Sequence, residues 1–283
     1  EEQVFQRSGV PIRVDSLTGG FEGFNPILHV NGLSLLVAET GTAEAEETAL
    51  YLQSATVIVD IPQSIWQRTW VLEDFVVESL ELNLNQSESG TWQLRGLSGN
   101  NSEAVDFDSL YRSLQQVSQL SLRNVVINLH TFEGDTLSLS NGQATIANSD
   151  NTHYLHANLT LAGSVEQMAL SLEVTGNEFA DMAGQLHLEL PDSNYGDLFS
   201  RQSVADMSVE ELFGGGNFWF TFSRGELSEF VSELELDTLA LQNSDLDTLS
   251  LQDVSGKASL RRQSDGETWQ LALSDMGLSW QQL

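Results

Sequence analysis

The sequence predicts a mostly β protein: antiparallel sheets with one apolar and one wet face, joined by tight turns and accompanied by two to four short helices. Three observations carry that reading. Apolar side chains alternate with polar ones in stretch after stretch, which is the period of a strand whose faces differ. The breaks between these stretches are short and hold Gly, Asn and Asp. The tetrapeptide TWQL recurs at 91–94 and 268–271, each time after a polar, Gly-bearing run, SESG or SDGE, as the return arm of a hairpin would.

Taken in chain order, VNGLSLLVA and TALYLQSATVIVD read as strands, with Val57, Val59 and Ile61 on one face. The acidic run between them, 38–48, reads as a solvated loop. SIWQRTW at 64–70, just after Pro62, reads as a short helix closing one end of a sheet. Leu80, Leu82 and Leu84 form the next ladder, and Trp92 and Leu94 share a face on the first TWQL. FDSLYRSLQQVSQL at 107–120 offers Leu110, Leu114 and Val117 at helical spacing, with Asp106 or Asp108 as N-cap. Ile127 and Leu129 resume the strand period. Breaks are expected at Glu133-Gly134-Asp135, Asn141-Gly142, Ala162-Gly163-Ser164 and Gly176-Asn177. Between and beyond them come Leu170, Leu172, Val174 and then Leu186, Leu188, Leu190. SVEELF at 208–213 opens with a Ser208…Glu211 capping box, which predicts a helical turn. Gly214-Gly215-Gly216 reads as a flexible turn into the aromatic strand Phe218, Phe220, Phe222. Leu234/Leu236, Leu239/Leu241 and Leu249/Leu251 follow, and Asp265-Gly266 turns the chain into Trp269, Leu271 and Leu273. Wet partners on one side of every ladder imply antiparallel pairing.

Composition narrows the function. The chain has 283 residues, 41 acidic and 11 basic side chains, a net charge of -30 and no Cys. So acidic an exterior repels nucleic acid and anionic headgroups. Without Cys there is neither a disulfide framework nor a thiolate metal site. No stretch is long and apolar enough to span a bilayer as a helix. The first residue, Glu1, is not Met, and the expectation is a trimmed piece whose anchor or export signal has been removed. One segment, 1–283, is expected, with a soft subdivision into a hairpin and helix unit at 1–100 and a continuing sheet at 101–283.

Three stretches carry a resemblance: 8–37, 50–97 and 153–190. The first holds Gly20, Gly23, Phe24 and Pro26 ahead of a strand. The second runs from the helix at Trp66 to the Gly-x-Trp-x-Leu ending at Leu94. The third opens with His153 and Ala157 in one strand. Together they resemble the N-terminal periplasmic part of YhdP-type proteins in the AsmA-like group that includes TamB. The resemblance implies an elongated, curled antiparallel sheet, a repeating β-groove with an apolar concave face. It implies phospholipid conducted between the inner and outer membranes of a Gram-negative bacterium. Members are longer and start with an inner-membrane helix, so the chain is expected to be a periplasmic fragment of a tethered protein, with phospholipid acyl chains and further envelope proteins as partners. Physical chemistry agrees. Exposing an acyl chain costs about 0.8 kcal/mol per CH₂, on the order of 20 kcal/mol for a two-chain lipid, and a continuous apolar track removes most of that. Leu80, Leu82, Leu84, Leu170, Leu172, Leu186, Leu188, Leu190, Phe218, Phe220 and Phe222 are the expected lining.

No catalytic residue, cofactor or metal site is expected. His153 and His156 lie three apart on a strand and so face opposite ways. His29, His130 and His187 are read as wet-face residues. Asp106/Asp108 and Asp245/Asp247 do not continue into a calcium loop. The Gly triplet is not followed by Lys-Ser/Thr, and no Gly-x-Ser-x-Gly occurs. The alternatives are an exported acidic, structural or adhesive β-sandwich that binds protein or glycan, and a carbohydrate-active β enzyme, for which the sequence offers no convergent carboxylate pair.

Overall fold

The computed structural model describes residues 12–37, 47–68, 71–86, 92–94, 115, 117–132, 134, 136–149, 151–162, 164–196, 203–204, 207–243, 248–263 and 268–280. The chain divides into two compact units, Glu1–Leu159 and Thr160–Leu283.

The first unit is a sheet of β1 (Ile12–Glu22), β2 (Asn25–Val37), β3 (Glu47–Val59), β4 (Leu72–Gln86), β6 (Val117–His130), β7 (Thr136–Ser149) and β8 (Thr152–Leu161), in that spatial order. The pairs β1–β2, β2–β3, β3–β4 and β6–β7 are antiparallel. β4 and β6 are parallel, which the wet-face argument did not foresee. A parallel neighbour needs a crossover connection, and the chain between 86 and 117 supplies it. The short strand β5 (Trp92–Leu94) pairs antiparallel with the end of β4. The first TWQL is therefore the return arm of a hairpin, as its turn chemistry predicts.

The parallel pair is stitched on its wet face. Arg123 meets Glu78 at 2.9 Å. The Asn128 amide donates to Glu81 Oε1 at 3.0 Å and to Asn83 Oδ1 at 3.2 Å, and Ser138 Oγ donates to Asn128 Oδ1 at 2.8 Å. On the other face Ala55, Val77, Val117 and Leu120 are buried together, with Val30, Leu52, Leu72, Phe75, Leu80, Leu122 and Ile146 packed around them.

One helix, α1 (Ile61–Gln67), joins β3 to β4. Asp60 caps it by accepting from the Gln63 N–H at 2.9 Å, and Arg68 ends it in the left-handed region. It covers the 64–67 part of the predicted helix. Ile61 belongs to it, so the Val57, Val59 ladder stops one member short.

The second unit runs β9 (Gln167–Thr175), β10 (Ala183–Asn194), β12 (Met207–Ser223), β13 (Glu226–Asn243), β14 (Thr248–Arg262) and β15 (Trp269–Trp280). Its neighbours are all antiparallel. A two-residue strand, β11 (Ser203–Val204), pairs with β12, and a 3₁₀ turn covers Phe179–Asp181. The second TWQL again returns a hairpin, with Trp269 opposite Arg262.

Several local expectations are corrected. Ser208–Phe213 is strand, because β11 and β13 both pair with β12 there and a ladder outweighs an isolated capping signal. Gly214–Gly216 lies inside β12, where close approach matters. A Cβ on Gly215 would sit 2.5 Å from the Leu190 carbonyl oxygen. Residues 117–120 of the predicted second helix are the start of β6. Asn141-Gly142 is not a break. Asn141 has φ 52 within β7. The loop 38–46, the helix residues 107–114, Asp106, Asp108, Asp245 and Asp247 lie outside the described residues.

Asn141 is one of several left-handed residues inside strands, with Ser79 and Asn124 in the first unit and, in the second, Asp253 and Asp275. In the register these positions fall between pairs: Asp15 and Gly32 between Val14↔Leu33 and Ser16↔Asn31, and Gln53 and Ser79 between Leu52↔Leu80 and Ser54↔Glu78. One residue taken out of the pleat flips the alternation and bends the strand. The sequence compensates with a step of three: Val77 to Leu80 in β4, Leu122 to Val125 in β6, Leu273 to Met276 in β15, and, at a bulge rather than a left-handed residue, Leu236 to Leu239 in β13. Phe75, Val77 and Leu80 accordingly share one cluster. Short polar side chains are the L-residues that enter this region most easily.

Candidate functional site

The second unit carries a continuous apolar face. One row across six strands is Leu172, Leu186, Phe220, Phe230, Leu260, Leu271, each directly opposite the next. The adjacent row is Leu170, Leu188, Phe218, Ser232, Ala258, Leu273. A third begins Leu190, Gly216, Leu234, Gly256. Eight of the eleven expected lining residues thus fall on one face in neighbouring rows: Leu170, Leu172, Leu186, Leu188, Leu190, Phe218, Phe220 and Phe222. Phe222 is opposite Gly184, next along β10 from Leu186's row. Leu80, Leu82 and Leu84 belong to the first unit's own face, where Leu80 opposes Leu52, Leu82 opposes Leu50 and Ile127, and Leu84 opposes Leu94 and Leu129.

These rows are not consumed by packing. All eight residues in the second unit are only half-buried. Exposure rises toward β15, where Leu271 is 61% and Leu273 58% exposed. Aromatic contacts lie along the face, Phe220 on Phe230 at 5.0 Å and Phe218 on Phe230 at 6.4 Å between centroids. Small residues alternate with them at Ser232, Ala258, Gly216 and Gly256, so large side chains stand beside shallow ones. Sequence reading missed Phe230, Leu260, Leu271 and Leu273 as members of this face. Counting Ser232 and Ala258 as small members of the apolar series would have found them.

The reverse face is polar and paired. Glu189, Asn217, Glu233 and Lys257 form a row, and Lys257 Nζ donates to Glu233 Oε1 at 2.6 Å. That hydrogen bond first, then the Glu233 charge, raises the lysine pKa. Arg261 pairs with Glu229 at 2.5 Å, and at the end of the strand Arg262, opposite Trp269, pairs with Glu226. A depression of about 450 Å³ beside this row is walled by Glu166, Glu189, Asp192, Glu235, Asp275 and Lys257. Among the described residues no three His, Asp or Glu side chains are grouped to hold a metal ion. His153 is buried with Nδ1 2.7 Å from Asn148 Oδ1, while His156 is exposed. His187 stacks on Trp219 with centroids 4.9 Å apart. His29 and His130 hydrogen-bond to Thr56 and Thr136, each at 3.0 Å.

Tyr195 anchors the irregular end of β10. Its Oη donates to the Pro191 carbonyl at 2.7 Å and its N–H to the Leu212 carbonyl at 2.8 Å. Burial, with the Asp192 charge second, pushes its pKa from 10.0 to about 12. Between these values the unfolded chain ionises and the native tyrosine stays protonated. The stabilisation from this group is thus complete below pH 10 and falls as pH rises through 12. Tyr195→Phe is expected to flatten the loss of urea resistance across that window, although the variant is less stable at neutral pH for want of the Pro191 hydrogen bond. An unchanged pH slope in the variant would remove Tyr195 from the account.

Among the described residues no helix is long and apolar enough to cross a membrane. Among known families, the chain matches the family described as YhdP protein over residues 1–283. No curated protein matches the chain.

Proposed function

The chain belongs to the YhdP family, and from that premise we propose that it is a non-enzymatic lipid-transfer protein. Its apolar face holds phospholipid acyl chains while the headgroup stays in water. In this reading the lipid moves along the face between the inner and outer membranes of a Gram-negative bacterium, and the chain works in the periplasm as part of a tethered protein. Family membership supports AsmA-like lipid transport and an envelope setting at the level of the family.

The observation that carries the reading is that the large side chains in the rows from Leu172 to Leu271 and from Leu170 to Leu273 are left partly exposed. Full burial of one Leu or Phe contributes about 1.5–3 kcal/mol. Rows of such side chains left partly in water are a standing cost that an acyl chain laid across them removes. Transport needs no bond to break, so a face without convergent acid and base suits it.

The test is mass spectrometry of lipid extracted from protein purified without detergent, followed by reloading of stripped protein with labelled phospholipid. Phospholipid at or above one molecule per chain is the expected result. Protein that carries and takes up no more phospholipid than an acidic β-sandwich of similar size would end the proposal.

A further inference from the structure

At one end of the first unit the β1–β2 turn and α1 form an exposed apolar tip. The register places Gly20 opposite Ile27, Ile27 opposite Ile58, and Ile58 opposite Asp74. The turn at Gly23-Phe24, the end of β3 and the start of β4 therefore lie at the same end of the sheet. Asn25 ties them together. Its amide donates to Glu73 Oε2 at 2.6 Å, and its Oδ1 accepts from the Ile61 N–H at 3.4 Å. On this braced base stand Phe21, 77% exposed, Phe24, 92%, Ile65, 73%, and Trp66, 89%. They include the most exposed aromatic side chains of the described residues, and neither the sheet core nor the face of the second unit uses them.

The tip is also poor in carboxylates. Residues 16–30 hold one charged side chain, Glu22, and residues 61–72 hold one, Arg68. This is in a chain of net charge -30. Of the nearby acids, Asp60 caps α1 and Glu73 holds Asn25, while Asp74, opposite Ile58, is half-buried. We propose that this tip is a membrane-docking element: Phe24, Ile65 and Trp66 enter the interface of a phospholipid bilayer, with Phe21 beneath them.

Two features favour a bilayer over a protein partner. The apolar side chains project from a turn and a seven-residue helix rather than lining a groove, which suits shallow insertion among headgroups. Tryptophan and phenylalanine favour that depth, where an apolar ring meets wet neighbours. A protein partner for so acidic a chain would be basic and would meet the carboxylate-rich faces. An anionic bilayer repels those faces, a zwitterionic one does not attract them, and either is approached best through the tip. The docking does not depend on lipid loading elsewhere, so a protein that fails to carry lipid would still dock.

The experiment is flotation of the whole protein with vesicles of phosphatidylethanolamine containing about a quarter phosphatidylglycerol. A parallel sample uses brominated acyl chains, which quench nearby tryptophan. Wild type is expected to float and to be quenched. The double variant Phe24→Ser/Trp66→Ser, whose changes are on exposed positions, is expected to melt as wild type does and to bind at least tenfold less. Trp66→Phe is expected to keep most of the binding and lose the share of the quenching that Trp66 contributes. Val165→Ser, an exposed apolar residue of the other unit that lies outside the lipid rows, is expected to float normally. Failure of wild type to float overturns the proposal. So does equal loss of binding in the double variant and in Val165→Ser, which would mean general stickiness, or capture by Phe24 and Trp66 of a protein from envelope extract with no vesicle binding.

Discussion

Gly184→Ala is expected to destabilise the second unit by about 3 kcal/mol or more, lowering its melting temperature by on the order of 10 °C. Gly184 sits in β10 with φ 156, between Val174 and Phe222 on the neighbouring strands. A Cβ there would lie 2.1 Å from the Glu173 carbonyl oxygen and 2.6 Å from the Val174 Cα. Neither atom can move without breaking the β9–β10 ladder, and Val174 is wholly buried. Strain from the dihedral and the clash with backbone therefore add. Gly20→Ala is the matched control. Its position is exposed, and a Cβ there meets nothing within 4 Å. Alanine at 20 is expected to be neutral or slightly stabilising through the unfolded chain. Thermal unfolding followed by circular dichroism separates the two, and a Gly184→Ala protein melting within 2 °C of wild type, as an approximate limit, would contradict the described backbone.

How far the fold was readable depends on which constraints are local. Leu186, Leu188, Leu190 and Phe218, Phe220, Phe222 lie on strand segments without a left-handed residue, so period two alone placed all six on one face. Leu234/Leu236 and Leu239/Leu241 read as two ladders because the step of three across Asp237 breaks the count, yet both belong to β13. Asn141-Gly142 reads as a turn for a sound local reason, since Asn and Gly accept positive φ in turns and bulges alike. What separates the two is whether the same break recurs at the same depth in neighbouring strands. That comparison of Gly32, Ser79, Asn124 and Asn141 needs the register and is absent from any one segment. Ser208…Glu211 illustrates the opposite error, a helical signal overruled by partners at Gln242 and Leu241. The parallel pairing of β4 with β6 was invisible because strand order is not written in a strand's own pattern. The apolar tip was legible in part, since Gly20, Gly23, Phe24 and Pro26 stood out as a motif. Its meeting with α1 through Asn25 is a long-range contact and was not.

Leu188→Asp is expected to reduce bound phospholipid at least tenfold. Leu188 stands between Leu170 and Phe218, half-buried in the middle of the apolar rows, so a carboxylate there sits where an acyl chain would lie. Pressing a charge against hydrocarbon costs several kcal/mol, and 1.4 kcal/mol already corresponds to a factor of ten. A change at this position also risks the fold, because the side chain is partly packed. Leu271→Asp provides the second reading. It lies on the Leu172–Phe220 row but is 61% exposed, so the native state tolerates the charge while the track is still interrupted. A loss of several-fold is expected there, with melting unchanged. Leu188→Met keeps volume and apolarity and is expected to load as wild type does. Glu189→Gln, one residue along on the polar face, is expected to have no effect, because the alternation that sets 188 against the lipid turns 189 away from it. If both Asp variants stayed folded and took up phospholipid at the wild-type level, these rows would be the inner wall of an ordinary core and not a lipid track. If Glu189→Gln also lost lipid, the ligand would sit on the charged face, and the depression beside Lys257 would become the place to look for it.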